Sequence, residues 1–144
     1  MAKGVKVKNI EPLLQAFIIA GKDAPRLAAK ALKEEADEAF VMSQSFVPVR
    51  TGNLLTSGEV RGPFVRGSVI ECFIRYGGPA APYAAIVHEV PPNSGGRWGT
   101  GYKHDFPTRW KYLENPVRLY ARGMGERLAH RVLDMVARRF EIGA

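Results

Sequence analysis

The sequence contains a single cysteine, Cys72, among its 144 residues. One cysteine excludes an internal disulfide framework and any zinc site built from several cysteines. Long apolar runs are also missing, because the longest strongly apolar stretch, residues 13–20, is interrupted by Gln15. That stretch is too short to span a bilayer, and the N-terminal residues lack the apolar core of a signal peptide. We therefore expect a soluble protein of a reducing compartment that makes no contact with a membrane.

Internal repeats and low-complexity tracts are absent, which excludes solenoids and disordered linker proteins. Hydrophobic residues make up 46% of the chain and charged residues 24%, which is ordinary globular usage. A chain of this length can bury a substantial core as one domain. We expect a single domain over residues 1–144.

The chain has an excess of positive charge, with 21 Lys+Arg against 14 Asp+Glu and a net charge of +7. The excess is uneven, because residues 97–144 carry 10 basic and 5 acidic side chains and thus +5. A surplus of arginine suits phosphate or carboxylate recognition. Three interpretations stay open: contact with nucleic acid, contact with an acidic protein surface, and a solvated helix face.

Two helices are predicted in the N-terminal third. Residues 10–20 have the pattern of a short helix that ends at Gly21. Asp23 is a suitable N-cap for a second helix, which runs to about Ser45 and is stopped by Pro48.

The middle of the chain has the pattern of short strands. Residues 57–60 and 69–76 are rich in β-forming residues, and Gly62-Pro63 with Gly67 is predicted to connect them. The second strand places apolar side chains on one face, which indicates a half-buried antiparallel strand. That face consists of Ile70, Cys72, Ile74 and Tyr76.

Residues 82–89 fit either a helix of two turns or another strand. A final helix is predicted with Asn115 as its cap and Pro116 at its first position, and Gly123 and Gly125 suggest close packing or a bend in it.

The fold class predicted is α+β, with N-terminal helices, a small antiparallel sheet with a long loop, and a C-terminal helix packed on the sheet. The predicted subdivisions are an N-terminal arm and short helix (1–22), a long helix (23–46), a sheet region (47–90), a long loop (91–108) and a closing segment with the C-terminal helix (109–144).

Residues 91–108 are rich in proline, glycine and serine, and a structureless loop of this length is uncommon unless it has a function. Its aromatic residues would be unusual on a bare solvent loop, so we expect the loop to dock on a partner. The candidate docking residues are Trp98, Tyr102 and Phe106.

One group of residues has metal-binding or catalytic potential. His88, Glu89, His104 and Asp105 offer ligand types that suit zinc, and a glutamate could act as a general base. His88-Glu89 lacks the second histidine four residues on that a helical zinc hydrolase motif requires. Local hydrogen bonding at the end of an element is the simpler interpretation, and we expect neither an enzyme, a metal nor a cofactor.

Three segments together resemble a known family. They are residues 48–54 (PVRTGNL), 83–89 (YAAIVHE) and 111–116 (KYLENP). In this order, after an amphipathic helix and before a closing helix, they resemble the tail-completion and head–tail joining proteins of long-tailed bacteriophages, also known as minor tail or phage morphogenesis proteins. The resemblance covers roughly residues 23–140. Where relatives tend to continue His-Glu with Asn or Gly, this chain has Val90-Pro91-Pro92 and an enlarged loop.

The resemblance implies a structural virion protein that forms a hexameric ring in the neck and is assembled in the host cytoplasm. Its expected partners are further copies of the chain, the tail tube or terminator protein, and the head connector or adaptor protein. Genomic DNA would pass through the lumen, where sequence-independent phosphate contacts are a second hypothesis. By the same analogy, residues 91–108 form the docking loop.

Charge complementarity suggests how such a ring could close. The acidic residues Glu34, Glu35 and Glu38 form a candidate partner for Arg127 and Arg131 of the next subunit.

The turn at Arg50 and Thr51 offers a second candidate interface. Arg50 either spans a subunit boundary to a carboxylate or neutralises the C-terminus of its own helix. Tyr83 and Tyr112 are expected to pack within the fold instead of recognising a ligand.

Two other functions stay as alternatives. A basic nucleic-acid-binding module would explain the charge, although no recognised nucleic-acid-binding motif is present. A metal-dependent hydrolase would explain the histidines.

Overall fold

The computed structural model describes residues 10–49, 51–89 and 111–142. The fold is α+β, as predicted: helices are combined with a two-stranded antiparallel sheet. The described elements, in chain order, are α1 (Glu11–Ala20), a short 3-10 helix (Gly21–Asp23), α2 (Ala24–Phe46), α3 (Asn53–Thr56), β1 (Glu59–Arg66), β2 (Val69–Arg75), α4 (Ala84–Glu89), α5 (Glu114–Ala121) and α6 (Met124–Ile142).

The two predicted N-terminal helices are confirmed within a residue or two. Pro12 lies in the first turn of α1, where its missing N–H costs no helical hydrogen bond. Helix α2 ends at Phe46, two residues before Pro48, because a proline disfavours helical geometry in the residue that precedes it. The two helices therefore follow from local signals alone.

The strand connection was predicted wrongly. Gly62-Pro63 lies inside β1, and the two strands are joined at residues 67 and 68. Gly62 is needed for a close approach between strands, because a Cβ at this position would lie 2.8 Å from the carbonyl oxygen of Glu71. Proline is tolerated because, among the described strands, β1 has only one neighbour and is therefore an edge strand.

The predicted apolar face of β2 is confirmed. Its four members, of which Tyr76 directly follows the strand, are half-buried; on the opposite face Val69, Phe73 and Arg75 are exposed and Glu71 is half-buried. Partial burial raises the pKa of the Cys72 thiol. Cys72 therefore has the environment of a small side chain that packs inside the fold.

Residues 84–89 form a helix, which decides between the two structures that the sequence left open. The predicted single C-terminal helix is instead two helices, α5 and α6, separated at residues 122 and 123. Gly123 adopts a φ of 66°, a left-handed conformation that ends a helix. Because α5 begins at Glu114, Asn115 and Pro116 lie in its first turn and Asn115 is not its cap.

Two compact units divide the chain, and each has its own apolar cluster. The first unit comprises Met1–Asp37, Gly62–Cys72 and Arg118–Ala144. Its cluster packs α6 against α1 and α2, where the sequence had predicted α6 on the sheet. The buried members are Ala16, Leu27, Ala31, Leu128, Ala129 and Val132.

The second unit comprises Glu38–Arg61 and Phe73–Val117. The buried members of its cluster are Val47, Leu54, Ala81, Ala84 and Tyr112. Because α2 and both strands contribute residues to both units, a single cooperative domain stays a prediction. No helix in the described part of the chain combines the length and apolar character that crossing a membrane requires.

Candidate functional site

The three segments behind the family resemblance converge in the second unit. Leu54 from the PVRTGNL segment, Ala84 from the YAAIVHE segment and Tyr112 from the KYLENP segment belong to one buried cluster. The hydroxyl of Tyr112 donates a hydrogen bond of 3.0 Å to the carbonyl oxygen of Ala84. Tyr112 is 2% exposed, so this bond satisfies the only polar atom of its side chain inside the core. The three segments are therefore parts of one packed structure.

The YAAIVHE and KYLENP segments are also joined through His88. The backbone N–H of Lys111 donates to the carbonyl oxygen of His88 at 2.9 Å. The backbone N–H of Glu114 donates to His88 Nε2 at 3.2 Å. That second bond satisfies one of the N–H groups that the first turn of α5 leaves without a helical partner. His88 therefore positions the start of α5.

A polar cluster lies beside this junction. The ammonium of Lys111 contacts Glu89 Oε2 at 2.6 Å and Glu114 Oε2 at 2.8 Å, and His88 Nδ1 lies 2.8 Å from Glu89 Oε1. Hydrogen bonds from Lys111 and His88 lower the pKa of Glu89 from 4.5 to about 2. The hydrogen bonds that the Lys111 ammonium donates to Glu114 and Glu89 raise the pKa of Lys111. The cluster is an ion-pair network that joins α4 to α5.

The same residues form the one candidate metal group among the described residues. One ligand atom each from His88, Glu89 and Glu114 lies within 4.8 Å of the others. The Lys111 ammonium already bridges the two carboxylates, and both ring nitrogens of His88 have partners. A cation would have to displace Lys111, so the arrangement suits an ion pair better than a metal. His104 and Asp105 lie outside the described residues.

Aromatic rings extend the same cluster. The ring of Tyr112 makes edge-on contacts with those of Tyr76, at 5.2 Å between centroids, and His88, at 5.0 Å. The Tyr76 hydroxyl lies 2.5 Å from Ser43 Oγ, and burial raises its pKa. Ser43 is fully buried although it is polar, and its hydroxyl also donates to the carbonyl oxygen of Phe40 at 2.8 Å. The sequence signal for this contact was weak, because Ser43 simply continued an apolar helical spacing.

Glu35, which the sequence suggested as a partner for arginines of the next subunit, is paired with arginines of its own chain. Glu35 is 0% exposed, and its oxygens accept hydrogen bonds from Arg127 Nε at 3.1 and 3.0 Å and from Arg131 Nε at 3.0 Å, all within one chain. Arg131 also contacts Glu34 Oε2 at 2.9 Å. Burying a carboxylate without such partners would be costly, so the packing of α2 beside α6 satisfies the charges internally.

Arg127 has a second structural role at the break between α5 and α6. Its guanidinium donates to the carbonyl oxygen of Arg122 at 2.7 Å and to that of Tyr120. These carbonyls lie at the end of α5, where helical partners are missing. The charge of Arg127 is therefore used inside the fold.

The remaining predicted interface residues have separate locations. Thr51 is exposed, and its Oγ1 accepts a hydrogen bond of 3.4 Å from the backbone N–H of Asn53. Glu38 is exposed on α2. Arg50 and the docking-loop residues Trp98, Tyr102 and Phe106 lie outside the described residues.

Exposed apolar side chains occur on the hairpin and on α1, and the sequence patterns did not single them out. On the hairpin, Val65 and Val69 are 53% and 51% exposed, and on α1 Ile18 is 73% exposed. Further exposed members are Ile10, Leu14, Ile19, Phe64 and Phe73. The signal for α1 was present, because the apolar run 13–20 leaves a ten-residue helix without a fully polar face.

Comparison with known proteins finds no match to a protein-family model, to a curated protein or to a solved structure.

Proposed function

We propose that this chain is a structural protein that forms a ring at the neck of a long-tailed bacteriophage and joins the tail tube to the head connector. The convergence of the three segments in one cluster carries the proposal. Segments that pack against one another in a fold are expected to occur together in a sequence. The cluster therefore gives a physical reason to treat the three segments as one motif. The segments themselves, at their order and spacing, supply the resemblance to the tail-completion and head–tail joining proteins.

Exposed apolar surface supports an assembly role. Monomeric proteins rarely expose large contiguous apolar patches, and such patches commonly mark interaction sites. The hairpin and α1 both carry exposed aliphatic side chains. Head-to-tail contacts between two different surfaces of one chain close into a ring when the rotation permits it.

The proposal includes a hexameric ring, partners in the tail and in the connector, and location in the virion. It also includes a DNA channel without base recognition. The function is structural, with no enzymatic step.

Imaging and mass measurement test this proposal. Negative-stain electron microscopy of the purified protein should show rings, and native mass spectrometry should give six copies. Antibody against the chain should label the neck of phage particles that contain it. Monomers under all conditions, or label elsewhere on the particle, would overturn the proposal.

Two single substitutions test whether the hairpin forms the contact between neighbouring subunits of the ring. Val69→Asp on the hairpin should abolish rings, because it places a charge in an apolar contact. Val41→Asp on α2 introduces the same charge at a side chain that is 68% exposed and should leave rings intact. Equal effects of the two substitutions would show that the hairpin is not the ring contact.

The alternative of a nucleic-acid-binding module is tested by fluorescence anisotropy with duplex DNA. Intrachain ion pairs of Arg127, Arg131 and Arg139 reduce the free basic surface, so we expect weak binding. Tight binding with a steep salt dependence, together with the absence of rings, would favour the alternative.

A further inference from the structure

An open groove of about 600 Å³ lies between α2 and β1 in the first unit. Arg26, Ala29, Lys30 and Lys33 line it from α2. Their spacing of one, three and four residues places them on one face of the helix. Pro63 and Val65 line it from β1 and, two residues apart, share one face of the strand.

The groove combines an apolar floor with a cationic rim. Ala29, Pro63 and Val65 supply the apolar surface, and the aliphatic stems of the basic residues extend it. Lys30 is exposed and has no ion pair with any other residue in the described ranges.

The two other cations on the rim are partly compensated. Arg26 lies 3.7 Å from Asp23, and Lys33 is paired with Asp37. The rim therefore has one uncompensated positive charge and two partly exposed ion pairs, and such pairs are weak enough to exchange partners.

This chemistry selects among possible occupants. A nucleic acid backbone could place phosphates beside the cationic rim, but it would leave the apolar floor of Ala29, Pro63 and Val65 without an apolar partner. A second copy is disfavoured in the groove because the exposed apolar face of α1, which would have to occupy it, follows Lys3, Lys6 and Lys8 in the sequence. An acidic segment with apolar side chains matches both the floor and the rim.

We propose that the groove binds a short, acidic, amphipathic segment of a different protein. Its apolar side chains would lie on Ala29, Pro63 and Val65, with a carboxylate beside Lys30. The helix face from Arg26 to Lys33 is about 11 Å long, which fits roughly two turns of a bound helix. This proposal stands independently of the ring, because it depends only on the groove.

Peptide binding tests the proposal directly. The probe is a fluorescein-labelled 12-residue peptide with Leu at helical spacing and Glu on both flanks, measured by anisotropy against the full chain. A peptide with Gln in place of every Glu tests the charge. We expect the Glu peptide to bind about tenfold more tightly than the Gln peptide at low salt.

Two pairs of substitutions locate the site. Lys30→Glu and Val65→Asp should each weaken binding of the Glu peptide about tenfold, since each removes one half of the complementarity. Arg138→Glu makes the same charge change at an exposed position of α6, and Val41→Asp makes the same polar change at an exposed valine of α2. Both controls should bind within roughly twofold of the unsubstituted chain. Circular dichroism verifies that all four variants fold.

Three results would overturn the proposal. Equal weakening of Glu-peptide binding by all four substitutions would mean that binding depends on the net charge of the chain and not on the groove. Binding of a single-stranded 12-nucleotide DNA that depends on Lys30 and Val65, with no peptide binding, would assign the groove to nucleic acid. Loss of self-association in Lys30→Glu, but not in Arg138→Glu, would assign it to a second copy of the chain.

Discussion

The carboxylate of Glu35 shows how a single residue organises the first unit. It is fully buried on α2 and accepts hydrogen bonds from two guanidinium groups of α6. Hydrogen bonds of this charge-assisted kind are stronger than neutral ones and offset the cost of burial. Its neighbour Glu34 is partly exposed and contacts Arg131 alone. The two adjacent glutamates therefore form a matched pair for experiment.

Glu35→Ala should lower the free energy of unfolding by about 3 kcal/mol, because it leaves two partly buried arginines without their carboxylate. Glu34→Ala should cost less than about 1 kcal/mol, as expected for an exposed ion pair. Urea unfolding followed by circular dichroism measures both. Similar losses for the two variants would contradict the assigned role of Glu35.

Protonation of Glu89 should reduce stability in acid. Its pKa is lowered from 4.5 to about 2, so the carboxylate stabilises the fold above pH 4.5 and loses this effect as the pH falls towards about 2. Glu89→Gln should be less stable than the unsubstituted chain at pH 7, and the difference should disappear near pH 2. The effect should be small, because the side chain is 52% exposed to solvent. Urea midpoints across this pH range measure the difference, and a constant difference would rule out the ion pair as its cause.

At the level of elements, the break between α5 and α6 is set by backbone conformation. The apolar spacing through Tyr120, Met124 and Leu128 predicts one continuous helix, yet Gly123 has a positive φ. A left-handed residue interrupts the helical ladder whatever the side-chain pattern. Arg127 then bonds to the carbonyls that the break exposes.

Gly123→Ala should lower the free energy of unfolding by about 1–2 kcal/mol, because a Cβ disfavours the left-handed conformation. Gly123→Asn should cost less, since asparagine adopts this conformation more readily than alanine does. Thermal unfolding distinguishes the two variants. A stabilising effect of alanine would mean that the break is not required by the fold.

For the whole molecule, the question is whether two apolar clusters make one cooperative structure. Helix α2 supplies Leu27 and Ala31 to the first cluster and Phe46 to the second. Because one continuous helix contributes to both clusters, loss of either one is expected to weaken the other.

Leu128→Ala in the first cluster and Leu54→Ala in the second should each destabilise the chain by about 2–5 kcal/mol, as buried leucines do. Hydrogen exchange should show lower protection of slowly exchanging amides in both units for either variant. Loss of protection confined to the substituted unit would instead indicate two independent domains.

The tertiary structure also changes the interpretation of the net positive charge. The Arg-rich C-terminal third suggested an external partner, but Arg127, Arg131 and Arg139 all contact carboxylates of the same chain. The uncompensated Lys30 in the groove had no distinguishing pattern in the sequence. Net charge is a sum over residues, whereas available charge depends on which residues pack together.

Local patterns in the sequence were sufficient to predict α1, α2 and the apolar face of β2, because helix ends and strand faces depend on residues that are close in the sequence. The same was true of the α+β class, which follows from the order of such elements. Tertiary structure alone decided that Glu35 pairs with Arg127, which is 92 residues away, and that three distant segments share one cluster. Tertiary structure also created the groove, because α2 and β1 are distant in the sequence and meet only in the fold. These contacts depend on which faces of distant elements meet, and local periodicity contains no information about that choice.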